Sequence, residues 1–172
     1  VVANLPYYAA SAIVRRFLSS APRPRLMVVM VQKEVAQTMA APAGKASLLT
    51  VSVQLYGRPR IVAYVPPSAF RPKPKVASAI VRIDVYPEPA VAFDSEEQFF
   101  DLIRAAFSAP RKQVRNSLRI GMPSLGEAAA TLLAEAGVDP RRRAETLTLA
   151  EWGRLYGAYR RFVASDAGGG SC

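Results

Sequence analysis

The chain has no histidine among its 172 residues and a single cysteine, Cys172. The first absence removes a histidine-based catalytic triad and a histidine-ligated metal site. The second removes an intramolecular disulfide framework and suits a reducing compartment. Apolar runs are short and interrupted, too short to span a bilayer. The opening residues carry no basic region, long apolar stretch or small-residue cleavage site of a signal peptide. A cytoplasmic protein with no membrane partner and no metal is the expectation. Acidic residues are also scarce, 13 Asp and Glu against 23 Lys and Arg, and unevenly so. Residues 1–90 hold 12 basic and 3 acidic side chains, whereas residues 91–172 hold 11 and 10, so +9 of the net +10 lies in the first part. Such an excess suits a polyanion, nucleic acid before membrane.

What is present reads as two parts. Residues 9–20 carry Ile13, Val14, Phe17 and Leu18 at helical spacing, and Pro22 and Pro24 then break the pattern. Leu26 to Val31 is a continuous apolar run, expected as a strand buried on both faces. Lys33 to Ala41 reads as a short helix. Strand, helix, strand, helix argues for a parallel α/β sheet with helical cover. Leu48 to Tyr56 is ambiguous, because its β-branched residues favour a strand while its apolar spacing also suits a helix face. Arg58 to Val65 and Ala77 to Val85 read as strands. Between them Pro66 to Lys75 is too proline-rich for a regular element and is expected as an extended loop bearing Arg71, Lys73 and Lys75. Beyond Pro87 and Pro89 the pattern turns helical. Ser95 is expected to cap a helix ending near Phe107; Arg111 to Ile120, a Ser124-capped segment to Ala136, and Thr148 to Val163 follow. Trp152, Leu155, Tyr156, Tyr159 and Phe162 on the last have core spacing. The domain reading is residues 1–90, residues 91–165, and a disordered tail over 166–172.

The stretch with chemical content is Asn4-Leu5-Pro6-Tyr7-Tyr8, directly behind the apolar Val1-Val2-Ala3. It reads as a buried strand opening into a turn. Asn4 brings an amide that both donates and accepts. Leu5 presents a carbonyl, and Pro6 stiffens the backbone behind it. Tyr7 offers a flat π-face. An amide, a carbonyl and an aromatic plane fit a planar base with an exocyclic amine. Two acceptors on that amine hold its N–H bonds and draw its lone pair out of conjugation.

Further strings share the chain with this turn: Gln32-Lys33-Glu34-Val35, Val65-Pro66-Pro67-Ser68-Ala69-Phe70, Pro72-Lys73-Pro74-Lys75-Val76 with Ser78-Ala79, Phe107, Arg111-Lys112, Arg115-Asn116-Ser117-Leu118, and Asp139-Pro140 with Arg143-Ala144-Glu145. In this order and spacing the set resembles the small-subunit ribosomal RNA adenine N6,N6-dimethyltransferases, over nearly the whole chain apart from the tail. The resemblance implies an α/β fold, the C-terminal part of a Rossmann-like methyltransferase sheet followed by a small all-helical domain that engages ribosomal RNA. It makes Leu48–Tyr56 helical, lying before a β-hairpin-like strand pair. It implies S-adenosylmethionine as cofactor, and small-subunit rRNA within a pre-30S particle as partner of a monomer. Asn4, Leu5, Pro6 and Tyr7 would form the catalytic turn, with Asn4 also bordering the cofactor. Tyr7 and Phe70 would stack on the base, and Arg71, Lys73, Lys75, Arg111, Lys112 and Arg115 would meet RNA. The family's glycine-rich cofactor loop has no counterpart here. The chain is therefore expected to be the C-terminal part of a longer protein and inactive by itself. Two other readings carry weight: a macrolide-resistance methylase of large-subunit rRNA, and a non-catalytic rRNA-binding or ribosome-assembly module.

Overall fold

The computed structural model describes residues 1–168, and they divide into two compact units. One comprises residues 1–42 and 49–90; the other comprises residues 43–48 and those from 91 onward.

The first unit is built on four strands: β1 (Val2–Asn4), β2 (Leu26–Gln32), β3 (Gly57–Val65) and β4 (Ser78–Val85). Their order in the sheet is β1-β2-β4-β3. The pair β1–β2 is parallel, with α1 (Ala10–Ser19) as its crossover. The other two pairs are antiparallel: β2–β4 departs from the parallel pairing that the strand–helix order alone argues for, and β3–β4 is the hairpin-like pair that the resemblance implies. The reason for the latter lies in the connection. Between β3 and β4 only a 3₁₀ turn, Pro67–Ala69, forms, and no helix provides the crossover that parallel pairing normally uses. Burial of β2 alternates: Met27, Val29 and Val31 are fully buried and their neighbours Val28, Met30 and Gln32 only partly so. One face of β2, rather than both, is core.

Two helices follow β2: α2 (Lys33–Met39) and α3 (Leu48–Gln54). The helical reading of the β-branched stretch holds, and the contacts explain why. The last carbonyls of a helix lack intrahelical donors. Thr50 Oγ1 donates to Thr38 O (2.7 Å), and Gln54 Nε2 donates to Met39 O (3.0 Å) and Ala41 O (2.9 Å). Side chains of α3 thus finish the end of α2, and Val51 and Val53 are buried. Tertiary contacts outweigh a strand propensity that spans only about 1 kcal/mol.

The second unit is helical: α4 (Glu96–Phe107), α5 (Val114–Gly121), α6 (Ala128–Glu135) and α7 (Leu149–Gly168). Ser95 caps α4 as expected, its hydroxyl accepting from Gln98 N at 3.3 Å. Ser124 caps nothing. Pro123–Leu125 is a 3₁₀ turn, and Gly126, at φ +47°, reverses the chain before α6 begins. Thr148 and Glu151 form a capping box on α7: Glu151 N donates to Thr148 Oγ1 and Thr148 N to Glu151 Oε2. Trp152, Leu155 and Tyr156 are buried among Phe99, Leu102 and Ile103 or their neighbours in this unit's core, while Tyr159 and Phe162 are only partly covered. The Phe99 ring meets Tyr156 edge-on at 5.4 Å. Gly121 closes α5 where a Cβ would stand 2.4 Å from Ala105 Cα and 2.6 Å from its carbonyl oxygen, so α4 and α5 cross at a spacing only glycine permits. The last helix continues to Gly168; the expected disordered tail falls mainly on residues 169–172, outside the described residues. Among the described residues no helix is long and apolar enough to cross a membrane.

Candidate active site and nucleic-acid interface

Asn4 is the last residue of β1, paired with Met30. Leu5 N donates to Met30 O at 3.2 Å, and the Leu5 side chain is buried, which pins the backbone as it leaves the sheet. Ala9 N then donates to Pro6 O (3.0 Å), closing a turn ahead of α1. The Asn4 side chain is exposed and makes no hydrogen bond among the described residues; nor is the Leu5 carbonyl taken by another donor. Both acceptors are unengaged, on a backbone held by the Leu5 N–Met30 O and Ala9 N–Pro6 O bonds. Tyr8 is 95% exposed and contributes nothing to the frame.

Tyr7 is different from Tyr8. Its hydroxyl lies 2.6 Å from Ser78 Oγ, and Ser78, the first residue of β4, is completely buried. Ser78 is opposite Gln32 on one side and Val65 on the other. Consequently the C-terminal ends of β1, β2 and β3 and the start of β4 share one end of the sheet. The loop 66–77 begins and ends there too, carrying Phe70, Arg71, Lys73 and Lys75. Phe70 is half-buried and the three cations are exposed. No ring contact joins Tyr7 and Phe70 among the described residues, so the two proposed stacking partners are brought to one end of the sheet but not into contact. Lys33, whose N–H bonds Ala77 O at 3.0 Å, lies here as well, with its ammonium 5.6 Å from the centre of the Tyr64 ring. Sequence reasoning assigned no role to Ser78 or Lys33. Ser78 stood inside a string that carried the resemblance, but nothing in the string told that its hydroxyl meets a tyrosine 71 positions away.

In the helical unit, Arg111 and Lys112 lie in the turn before α5 rather than on the helix, and Arg115 is on its first turn. Arg111 and Lys112 line a hollow of about 550 Å³ with Ser108, Ala109 and Pro110. The turn is held by Ser108 Oγ donating to Ser117 O (3.1 Å) and Ser117 Oγ donating to Ala109 O (2.9 Å).

Ion pairing sorts the cations. Arg60 and Arg82 share Asp84, Arg104 meets Asp101, Arg119 meets Glu127, Arg142 meets Glu151 and Arg160 meets Asp94. Arg71, Lys73, Lys75, Arg111, Lys112 and Arg115 enter no ion pair among the described residues. The Arg142 guanidinium, aided by Thr148, holds the Glu151 carboxyl at about 2, well below the ordinary carboxylate range. The hydroxyl of Tyr156 and the guanidinium of Arg160 together lower Asp94.

The family model for ribosomal RNA adenine dimethylase matches residues 1–160. The chain belongs to that family. Ribosomal RNA small subunit methyltransferase A of Dehalococcoides mccartyi (strain ATCC BAA-2266 / KCTC 15142 / 195) is 48% identical over 155 residues, which is 90% of this chain and 53% of the relative. The protein of the same name from Alkaliphilus oremlandii is 40% identical over 158 residues, 90% of this chain and 55% of its own length. This dimethylase-family chain spans about half the length of the relatives it matches. Among solved structures, a dimethyladenosine transferase from Plasmodium falciparum shares the fold with a TM-score of 0.75 at 24% identity, over 93% of this chain and 66% of that one. The 23S rRNA methyltransferase ErmE aligns with a TM-score of 0.65 at 26% identity, over 91% and 63%. The expected Rossmann-like methyltransferase fold is thus the fold of the family.

Proposed function

We propose that the chain is the base-holding and RNA-binding part of an S-adenosylmethionine-dependent dimethyltransferase that modifies adjacent adenosines near the 3′ end of small-subunit rRNA during ribosome assembly. The observation that carries this reading is the pair of unengaged acceptors, Asn4 Oδ1 and Leu5 O, on a backbone pinned to β2, beside a tyrosine ring tethered to buried Ser78. The names of the relatives favour the small-subunit enzyme over a large-subunit methylase.

The chain's residues would act on the base. Taking an adenosine out of its stack costs a few kcal/mol, and stacking on Tyr7 returns roughly 1–3 kcal/mol. The exocyclic amine then donates one N–H to Asn4 Oδ1 and the other to Leu5 O. With both hydrogens so held, the nitrogen is drawn toward a pyramidal geometry, and its lone pair leaves conjugation with the ring and becomes nucleophilic. No covalent intermediate is needed; position and fixed dipoles suffice. The cofactor, when bound, supplies an electrophilic sulfonium methyl group. Of the residues here only Asn4 fits its methyl-bearing end. Gly126 and Gly137, which have positive φ, follow helical turns, Gly44 lies in the loop after α2, and among the described residues no glycine-rich turn follows a strand to cradle the remainder.

The test is methyl transfer to unmethylated small-subunit particles by the full chain, alone and combined with the N-terminal portion of a relative. Activity only in combination is expected. Particle binding without transfer in either case would instead support an rRNA-binding module, a reading favoured by the unpaired cations around Arg111.

A further inference from the structure

The other end of the sheet holds a second cationic site. There Leu26 pairs with Asp84 and Gly57 with Val85, and Val85 N donates to Arg25 O at 3.1 Å. Six residues of β2 separate this end from Gln32, about 20 Å at the usual strand rise. A cavity of about 740 Å³ opens here, lined by Ala21, Arg23, Pro24, Arg25, Val85 and the Tyr86-Pro87 segment. Among the described residues no acidic side chain lines it. Asp84 is adjacent, but its two oxygens are held by Arg60 and Arg82 at 2.7 Å each. Glu88, one residue past the lining, pairs with neither arginine among the described residues.

Arg23 is the unusual member. Its guanidinium lies over the Tyr56 ring, 5.0 Å from the centroid. Its Nε is buried without a hydrogen-bond acceptor. A guanidinium desolvated along one edge and given no counter-charge is a costly arrangement. The same desolvation strengthens the attraction of its remaining N–H groups for an anion. Arg25 adds a second, exposed guanidinium that is in no ion pair among the described residues. Two guanidinium forks on one cavity wall match the oxygens of a phosphoryl group.

We propose that the Arg23–Arg25 cavity binds a phosphoryl group. Its two sources are a backbone phosphate of RNA held remotely from the target base, and a free phosphate. The proposal does not depend on the methylation reading, since it is tested without methyl transfer and either can fail alone.

The experiment follows the arginine Nε–H resonances of the ¹⁵N-labelled full chain during titration with inorganic phosphate and, separately, with a short RNA hairpin. Saturable shifts at Arg23 and Arg25 in both titrations are expected, and identify RNA backbone as a ligand. Shifts with inorganic phosphate alone assign the site to a free anion. Arg25→Gln, at an exposed position, is expected to weaken the response about tenfold, the low end of what a charge-assisted hydrogen bond is worth. Arg23→Lys keeps the charge but not the fork and is expected to weaken it likewise. Absence of saturable shifts with either ligand, or unchanged binding in both variants, overturns the proposal.

Discussion

The Asn4 side chain makes no hydrogen bond among the described residues, so replacing it leaves nothing buried and unpaired. Its contribution is confined to what it holds. Asn4→Ala, in a chain completed by the N-terminal portion of a relative, is expected to lower single-turnover methylation by about 10²–10³, the loss seen when one preorganised polar contact to a reacting group is removed. RNA affinity, measured by filter binding, should stay where it was, because interactions made mainly in the transition state change turnover rather than binding. Ser78 acts through Tyr7 and is a positioning residue. Ser78→Ala and Tyr7→Phe each remove the 2.6 Å hydroxyl pair at a cost of about 1 kcal/mol. Both are expected to lower turnover by a similar factor with KM unchanged, and the double variant should be no worse than either alone. Additive losses, or stability losses with normal turnover, would make the bond merely structural. The Asn4 turn was legible in sequence because its chemistry is local, an amide, a carbonyl and a ring within four residues. Ser78 was not, because its partner is brought by the sheet.

Among the elements, helix ends decide most of the detail. Gly121 has no room for a side chain against Ala105. Gly121→Ala is expected to force α4 and α5 apart and cost about 1–3 kcal/mol, the usual range for overpacking, read as a lower Tm. Glu151 ties the start of α7 to Arg142, with its carboxyl at about 2 against an ordinary 4.5. A carboxylate lowered in the folded state lends stability that is complete above the ordinary value and disappears as pH falls through the folded one. Thermal melts should therefore show a decline between about pH 4.5 and 2 that Glu151→Gln flattens. The variant should also cost about 1.5–3 kcal/mol at neutral pH, the worth of hydrogen bonds to a charged group. The Ser95 cap was readable because cap and acidic first turn are adjacent in sequence. Ser124 looked equivalent, but Gly126 takes a positive φ two residues later and the helix starts beyond it. Strand direction was the least legible feature. Apolar runs mark β3 and β4 as strands without saying which way they pair, and their antiparallel pairing follows from a proline-rich connection without a crossover helix.

At the scale of the molecule, ion pairing divides the surface charge into cations that serve the fold and cations left for a partner. RNA affinity is expected to fall linearly on a log–log plot against salt, by about 0.7–0.9 for each phosphate neutralised. Arg111→Ala with Lys112→Ala should make that slope shallower by about 1.4–1.8 while leaving the methylation rate of saturated particles alone. A slope unchanged by the double variant would remove this turn from the interface.

The unpaired cations also set how the protein spends its time. On the proposed function, attraction to phosphate, which is blind to sequence, would draw the chain onto any RNA it encounters. Most such encounters would end in release, with nothing modified. A correct encounter would differ only once an unstacked base presented its amine to Asn4 and Leu5, as proposed. Search would therefore be fast and indiscriminate, with choice deferred to a few atoms at the end of β1. A variant with a still more basic surface would find RNA sooner and, by lingering on the wrong molecules, reach its target later.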